Sequence, residues 1–312
     1  MKTIKKLNIK NKHTSKNNIK QHKTTTKNIK NIKKHKKTSK NSKKHKLNIN
    51  INNSISFNYK NHLELIKKNL KLNKYKWYFK SHKYYTEVLE NIGTYYGELY
   101  IKEIIHKFKN LFITHKKLLI KLCNKNDIYG SPRKKEFKNF ITTSPTNLRY
   151  ILFSLLILTF INNNKLNNLD IIEIGGGYGG LAFFLYNLAP IFKIKLNSYT
   201  IFDLPDVSKL QKQYLKALNL KKNMYYYQLN NFKNLKTNSF LISTYAFTEL
   251  PLSIRTEYKN KIFKYISYGY IVWNFIPIYN FIDNKDISYE LEYPKTHNNY
   301  ESNNFFVNFI PK

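Results

Sequence analysis

Apolar residues follow a helical spacing in the first half of the chain and a mixed spacing in the second. Between residues 55 and 124 they recur every three or four positions, as in Leu63 and Ile66, which predicts several helices. Later in the chain, short apolar runs typical of strands alternate with helical patterns. We therefore expect a helical region, residues 54–165, followed by a domain of alternating strands and helices, residues 166–312.

The most apolar stretch is Ile151–Ile161, inside a helical pattern that begins at Ser144 and Pro145. A serine followed by a proline is typical of a helix N-cap and first turn. The stretch is shorter than the roughly 20 residues that cross a bilayer, so we expect a buried helix beside the first strand and no transmembrane segment. Arg149, near the start of this helix, either meets a substrate carboxylate or phosphate or forms a surface ion pair.

A glycine-rich segment joins the first strand of the second region, residues 171–174, to a helix. Glycine lets the backbone turn tightly and approach a ligand closely. Gly175, Gly177 and Gly180 match the G-x-G-x-x-G pattern of dinucleotide-binding proteins. Together with Glu173, the glycines at 175, 177 and 179 also match the E-x-G-x-G-x-G opening of S-adenosylmethionine-dependent methyltransferases. The glycines predict a cofactor site and leave two cofactors open.

An acidic residue follows at the expected interval. Residues 198–202 alternate and are rich in β-formers, so they predict a second strand, and Asp203 stands at its carboxyl end. A carboxylate about 20 residues beyond such glycines accepts hydrogen bonds from ribose hydroxyls. Because both cofactors carry a ribose, Asp203 indicates a nucleoside site without choosing between them.

Three segments in order carry a resemblance to a known family. They are residues 173–181 with the glycines, Asp203-Leu-Pro-Asp-Val207, and Tyr245-Ala-Phe-Thr-Glu-Leu250, which follows a predicted fourth strand, residues 240–244. Through these segments, residues 170–275 resemble the sugar O-methyltransferase family, a branch of the class I S-adenosylmethionine-dependent methyltransferases. The resemblance covers about a third of the chain.

The resemblance implies a Rossmann-like α/β fold with a doubly wound sheet, S-adenosyl-L-methionine as the methyl donor and a sugar hydroxyl as the acceptor, in a free, nucleotide-linked or glycan sugar. It implies that Asn230 lies against the adenine and that Ser243, at the end of the fourth strand, belongs to the cofactor site. The chain departs from a full-length methyltransferase after a fifth strand at 270–275. We expect the last two strands at 287–293 and 305–310, with the usual preceding helix short or missing.

A base helps a sugar hydroxyl to attack, because the hydroxyl is a poor nucleophile near neutral pH. Glu249, just beyond the fourth strand, is the first candidate, and Tyr245 and His297 follow it. The alternative role of Glu249 is to support the next helix, and that of His297 is to lie in a surface loop. The sequence shows no cluster of carboxylates that would hold a divalent metal ion, so we assign no metal site.

The first 53 residues consist almost entirely of Lys, Asn, Thr, Ser, Ile and His, and the first acidic residue is Glu64. Such high charge with little apolar surface predicts a disordered basic arm. The whole chain carries a formal charge of +37, which suggests nucleic acid as a partner. Arginine is scarce while Lys, Asn, Ile, Tyr and Phe dominate throughout, so we favour the composition bias of an AT-rich genome over nucleic-acid binding.

The lone cysteine, Cys123, excludes an internal disulfide and a Cys-based zinc site, which fits a reducing compartment such as the cytoplasm.

Two further function classes stay open. An NAD(P)-dependent nucleotide-sugar or alcohol dehydrogenase would use the same glycines, but Tyr258 and Lys259 are adjacent instead of forming Tyr-x-x-x-Lys. A nucleic-acid methyltransferase or binding protein would use the arm, but the fourth strand ends in Ser-Thr without an Asn/Asp-Pro-Pro-Tyr motif. The oligomeric state is not predicted.

Overall fold

The computed structural model describes residues 59–89, 92–220, 222–279, 281–282, 285–295 and 304–312. The predicted arm and the segment that carries His297 lie outside these residues. The division into regions 54–165 and 166–312 therefore stays a prediction from the sequence.

Helices dominate the described chain as far as residue 163, as the apolar spacing predicts. Between the third and fourth helices, two short strands pair antiparallel. Each has only two residues, which is too short for a strand pattern to be visible in the sequence. The elements are α1 (residues 59–70), α2 (Lys83–Thr86), α3 (Thr94–Asn126), β1 (Lys135–Glu136), β2 (Thr142–Thr143) and α4 (Pro145–Asn163).

The helix α4 confirms the expectation of a buried apolar helix. It begins with Pro145 at its first position, and most of its side chains are buried. Ser144 stands at the N-cap position, but its hydroxyl donates to Asp127 Oδ1 at 2.8 Å instead of capping a helix N–H group. None of the described helices is both long enough and apolar enough to cross a membrane.

The rest of the described chain forms a seven-stranded sheet with order β5-β4-β3-β6-β7-β9-β8. The strands β3 to β7 all run parallel to one another. The elements are β3 (Leu169–Ile174), α5 (Gly180–Leu188), β4 (Leu196–Phe202), α6 (Pro205–Ala217), β5 (Met224–Tyr227), β6 (Ser239–Thr244), α7 (Ala246–Glu249), α8 (Leu252–Lys261), β7 (Ile266–Trp273), β8 (Lys285–Leu291) and β9 (Phe305–Pro311). This is the α/β, doubly wound architecture that the resemblance implies.

The last two strands form an antiparallel edge. β9 pairs antiparallel with β7 on one side and with β8 on the other, so that Val307 faces both Ile271 and Tyr289. The described residues between β7 and β8 contain no helix. The two final strands lie close to the predicted ranges, and β8 begins and ends two residues earlier than predicted.

Side chains of the central strands alternate between two apolar cores. Ile171 and Ile201 pack in one core with α3, α4 and α5, whereas Ile172 and Phe202 pack in the other with α8. Full burial of one such side chain stabilises a fold by about 1.5–3 kcal/mol. Because both faces are covered, the strands are continuously apolar in sequence.

The strand order reverses beside β3, because β4 and β6 lie on its opposite sides. Open α/β sheets bind ligands in the crevice beyond the carboxyl ends of the strands at such a switch point. The residues that follow β3, β4 and β6 therefore define the place to look for a site.

Candidate functional site

The glycine turn after β3 needs its glycines for conformation and for space. Gly175, Gly177 and Gly179 all have positive φ angles, of 73°, 55° and 91°. A Cβ atom on Gly175 would collide with the Cβ of Ala246, whereas a Cβ on Gly177 would meet only Leu89 Cδ1, at 4.0 Å. Side chains at these positions would be strained. The backbone at Gly177 is thus the most open part of the turn.

Tyr178, inside the glycine turn, is anchored to the N-terminal helical region. Its hydroxyl accepts a hydrogen bond from Asn126 Nδ2 at 2.8 Å. The buried ammonium of Lys80 lies 4.3 Å from the centre of the Tyr178 ring and donates to Tyr214 Oη and to the Asn126 carbonyl, both at 2.7 Å. Cation–π contacts of this kind strengthen when water is excluded. The N-terminal helices therefore help to fix the turn.

Asp203 and the glycine turn are joined through Gln211, a residue that the sequence reasoning missed. Gln211 Nε2 donates to Asp203 Oδ2 at 2.8 Å and to the Gly177 carbonyl at 2.9 Å. Burial in the crevice raises the pKa of Asp203 to about 7, although hydrogen bonds from the Leu204 and Gly176 backbones and from Gln211 oppose the shift. The side chain is half-buried, as expected at the wall of a cleft.

Gln211 could have been found from the sequence by one signal. It lies on the same face of α6 as the buried residues Val207, Leu210 and Tyr214. A polar side chain on an otherwise apolar helix face is buried and needs a hydrogen-bond partner. That partner is Asp203, the acid that the motif spacing assigns to the ribose of the cofactor.

Glu173 lies beneath the turn with one carboxylate oxygen unsatisfied. Its Oε2 accepts from the Tyr199 hydroxyl at 3.0 Å, and its Oε1 is buried without a hydrogen-bond partner among the described residues. Burial is the main reason that the pKa of Glu173 rises to about 8; the Tyr199 hydrogen bond lowers it, and the charge of Asp203 raises it further. An unpaired buried oxygen is a feature that a ligand with a donor group would satisfy.

Two predicted cofactor residues have other partners. Ser243 is fully buried, donates to the Ile174 carbonyl and accepts from the Phe247 N–H, both at 3.0 Å. It thereby ties the end of β6 to the end of β3. Asn230 is exposed and accepts from Lys261 Nζ at 3.0 Å. Their contacts to a cofactor stay predictions.

A second polar group lies beyond β6 and β7 and contains Glu249. Glu249 is exposed to solvent as a residue, while its carboxylate group is surrounded by protein atoms. Asn274 Nδ2 donates to Glu249 Oε1 at 2.7 Å. Burial in the cleft raises the pKa of Glu249 above its ordinary value, while the Asn274 hydrogen bond and the positive charge of Arg149 oppose the rise. A carboxylate of this kind is suited to accept a proton near neutral pH.

Tyr245, which precedes α7, has a strained backbone. Its φ angle is 69°, a conformation that costs a bulky residue about 1–3 kcal/mol and that recurs at functional sites. Its hydroxyl donates to Glu292, whose other oxygen accepts from Asn304 Nδ2 at 2.8 Å. Burial first, then the Glu292 charge, hold the pKa of Tyr245 well above its usual range. Tyr245 is therefore protonated at neutral pH, which disfavours it as a base.

Arg149 lies in the same cluster, and the surface ion-pair interpretation is wrong. The side chain is buried, and its Nη2 donates to the Leu89 carbonyl at 3.1 Å. The guanidinium carbon lies 5.9 Å from the centre of the Tyr245 ring. The reason for the error is that α4 is buried on almost every side, so no position near its start reaches bulk solvent.

Residues of the N-terminal region cover part of the crevice. Leu89 approaches Gly177, as described above, and its carbonyl holds Arg149. Tyr59, at the start of the described part of α1, has a pKa raised by burial and then by the charges of Asp203 and Glu249. The side chain of Tyr59 thus lies in the electrostatic field of both carboxylates.

Within the described residues, no three His, Cys, Asp or Glu side chains are grouped as metal ligands. The structure brings together Glu173, the glycines and Asp203 at one end of the crevice, and Arg149, Tyr245 and Glu249 at the other. Sequence reasoning missed Asn274 and Glu292. Asn274 directly follows β7, a position that the carboxyl-end rule could have indicated, whereas Glu292 had no sequence signal.

No protein-family model matches the chain, and no curated protein matches it. Solved structures similar to it include an amino pentose methyltransferase from Micromonospora echinaspora with S-adenosylmethionine bound (11% identity, 46% of this chain, 57% of that chain, TM-score 0.33). A second is a magnesium protoporphyrin IX methyltransferase from Synechocystis with the same ligand (9% identity, 53% and 81%, TM-score 0.38). A third is a candidate sarcosine dimethylglycine methyltransferase from Galdieria sulphuraria (20% identity, 41% and 47%, TM-score 0.32).

The chain spans less than two thirds of the Galdieria and Micromonospora proteins. At these identities and TM-scores, a likeness carries no information about activity or substrate.

Proposed function

We propose that the chain is an S-adenosylmethionine-dependent O-methyltransferase that acts on a sugar hydroxyl. The observation that carries the proposal is the unsatisfied Oε1 of Glu173, buried beneath the glycine turn. S-adenosylmethionine has an α-ammonium group, which is the kind of charge-assisted donor that such a carboxylate oxygen lacks. It also has a ribose, for which Asp203 stands at the end of the next strand.

Each end of the cofactor has residues that fit it. Asp203 would accept hydrogen bonds from the two ribose hydroxyls, and Gln211 would hold that carboxylate in place. The backbone at Gly177 allows close approach, because glycine has no side chain and the nearest atom, Leu89 Cδ1, lies 4.0 Å from where a Cβ would be. Glu173 would hold the ammonium group in its ionised form.

Two features favour this cofactor over a nicotinamide dinucleotide. The dinucleotide fold has a sixth parallel strand beside the fifth, whereas β7 in this chain has the antiparallel strand β9 as its neighbour. NAD also has no ammonium group to satisfy Glu173. The antiparallel edge further agrees with the family that the sequence resembles.

When bound, S-adenosylmethionine would supply a methyl group on a sulfonium, which leaves as a neutral thioether. The new C–O bond forms as the S–C bond breaks, and the hydroxyl proton must go to a base. Glu249 stands at the mouth of the sheet with its Oε1 held by Asn274, and it would take that proton. The sugar as the class of acceptor is supported by the resemblance of residues 170–275 to the sugar O-methyltransferases.

The experiment is a transfer assay with S-adenosylmethionine labelled on its methyl group. Free sugars, nucleotide-linked sugars, oligosaccharides and RNA are offered as separate acceptors, and products are identified by mass. The proposal expects one labelled methyl ether on a sugar. Label on an amine, on a base of RNA or on no acceptor in a protein that binds the cofactor would contradict the acceptor class.

A further inference from the structure

Asn274 occupies a special position for a residue that the motifs do not include. It is the first residue after β7, its side chain is almost completely buried, and its amide lies between the side chains of Thr248 and Glu249. Thr248 Oγ1 donates to Asn274 Oδ1, and Asn274 Nδ2 donates to Glu249 Oε1 at 2.7 Å. The Asn274 backbone N–H also points to Thr248 Oγ1, at 3.3 Å.

The chemistry of the two partners fixes which way the amide faces. An ionised carboxylate only accepts hydrogen bonds, so the amide nitrogen has to face Glu249. The oxygen then faces Thr248, whose hydroxyl also lies 2.8 Å from the Tyr245 carbonyl. The oxygen and the nitrogen of the amide thus each have a hydrogen-bond partner, so the N–H donor points at Glu249 before any ligand binds.

We propose that Asn274 is a positioning residue that aims the Glu249 carboxylate at the acceptor and favours its ionised form. The role of Glu249 as base rests on the proposed function, but the hydrogen bond and its effect on ionisation do not. A donor to a carboxylate stabilises the charged form only, so its removal makes the proton harder to release.

Two other groups interact with the charge of Glu249. Arg149, from α4, favours ionisation of Glu249, and the Glu249 charge in turn raises the pKa of Tyr59, from α1. Of the two influences that lower the pKa of Glu249, the hydrogen bond from Asn274 is larger than the charge of Arg149. Loss of the Asn274 amide should therefore be visible even while Arg149 is in place.

The first test is the ionisation of Glu249 in the full chain, followed by NMR on protein labelled with ¹³C at the Glu carboxyl carbon. Glu249→Gln identifies the Glu249 signal by its loss. In Asn274→Leu, we expect the Glu249 titration to move to higher pH by about one unit, which means tenfold tighter proton binding. Asn274→Asp adds a like charge at the same place and should move it further.

Asn69 provides a matched control, because it is also buried and makes two hydrogen bonds, one to the Leu65 carbonyl and one from the Tyr78 N–H. Asn69→Leu should lower the melting temperature without moving the Glu249 titration. An unshifted titration in folded Asn274→Leu and Asn274→Asp overturns the proposal. If the leucine variant does not fold, the near-isosteric aspartate variant decides alone.

The second test is the pH profile of kcat/KM on the acceptor found in the transfer assay. The acid limb of the profile should move to higher pH in Asn274→Leu. The variant should then lose about tenfold in kcat/KM at pH values below the midpoint of this limb, and the loss should shrink as the pH rises. A loss that is equal at every pH contradicts the positioning role. If the NMR shift occurs and no sugar is methylated, the inference about Asn274 stands and the proposed function fails.

Discussion

The two ends of the crevice differ in how the chain builds them. The end beyond β3 and β4 draws Glu173, the glycine turn, Asp203 and Gln211 from one stretch of the sequence, and Gln211 joins Asp203 to the turn by hydrogen bonds. The end beyond β6 and β7 draws Arg149, Tyr245, Glu249, Asn274 and Glu292 from four separate segments. The first end is a local motif, and the second exists only after folding.

The two ends also differ in whether their polar side chains already have hydrogen-bond partners in the protein. Glu173 has a buried oxygen without a partner, and burial raises the pKa of both Glu173 and Asp203 toward or above neutrality. Glu249 and Tyr245 are already held by Asn274 and Glu292. We infer that the first end is completed by a ligand, whereas the second is organised in advance. The following predictions separate the two ends by experiment.

The largest effect is expected at the second end. Glu249→Gln should lower turnover by about 10²–10⁴, because the amide cannot take the hydroxyl proton. Affinity for S-adenosylhomocysteine and the melting temperature should stay unchanged, measured by calorimetry and thermal unfolding. Near-normal turnover on the best acceptor would remove Glu249 from the mechanism, and weakened cofactor binding would show that the two ends are not separate.

The next largest effect is expected from Glu173→Gln at the first end. Loss of a charged partner for the ammonium group should weaken S-adenosylhomocysteine by ~1.5–3 kcal/mol in calorimetry. The stability of the folded protein should increase at high pH, whereas the affinity for the ligand decreases. The pKa of Glu173 is raised to about 8 on folding, so its contribution to stability is lost as pH rises toward 8.

The variant should therefore melt a few degrees above the natural protein at pH 9 and show little difference near pH 4. Equal cofactor affinity in the two proteins would mean that the unsatisfied oxygen does not meet the ligand. A variant less stable than the natural protein at pH 9 would show that the buried carboxylate does not destabilise the fold.

Asp203→Ala should weaken S-adenosylhomocysteine by ~1–3 kcal/mol, because the ribose hydroxyls lose a charged acceptor. The variant also frees Gln211 from one of its partners, so Gln211→Leu provides the control for loss of the bridge alone. A smaller loss in Gln211→Leu is expected. Unchanged affinity in Asp203→Ala would exclude the acid from the nucleoside site.

The smallest effect is a pH dependence of cofactor binding. In the protein without ligand, Glu173 has a pKa of about 8 and is therefore mostly protonated below pH 8. The ammonium group of the ligand would bind its ionised form. Affinity for S-adenosylhomocysteine should thus fall by up to about tenfold between pH 8 and pH 7, and binding in this range should release protons. Glu173→Gln should remove this part of the dependence, and what remains below pH 7 should come from Asp203, whose pKa is about 7. Titration in buffers of different ionisation enthalpy measures the released proton.

The sequence predicts the first end well because its chemistry is local. Strand, turn, strand and acid follow within about 30 residues, and the positive φ angles and the Asp203 bonds confirm that arrangement. The buried course of α4 and the final strand pair were also predicted. Periodicity and spacing suffice for these elements because each is defined by neighbours in sequence.

The second end could not be predicted because nothing local defines it. The sequence leaves Arg149 either in contact with a substrate or in a surface ion pair, and only the packing of α4 shows that it is buried and faces Tyr245. Asn274 and Glu292 become meaningful through partners that lie 25 and 47 residues away. A single sequence does not specify such distant pairs.

The most direct measurement of the central claim is a parallel calorimetric titration of the natural protein with S-adenosylhomocysteine and with NAD at pH 8. Both ligands have a ribose for Asp203, and only the first has an ammonium group for Glu173. We predict saturable binding of S-adenosylhomocysteine with release of about half a proton, because Glu173 is already half ionised at this pH, and no comparable binding of NAD. Tighter binding of NAD, or S-adenosylhomocysteine binding that is unaffected by Glu173→Gln, would contradict the account.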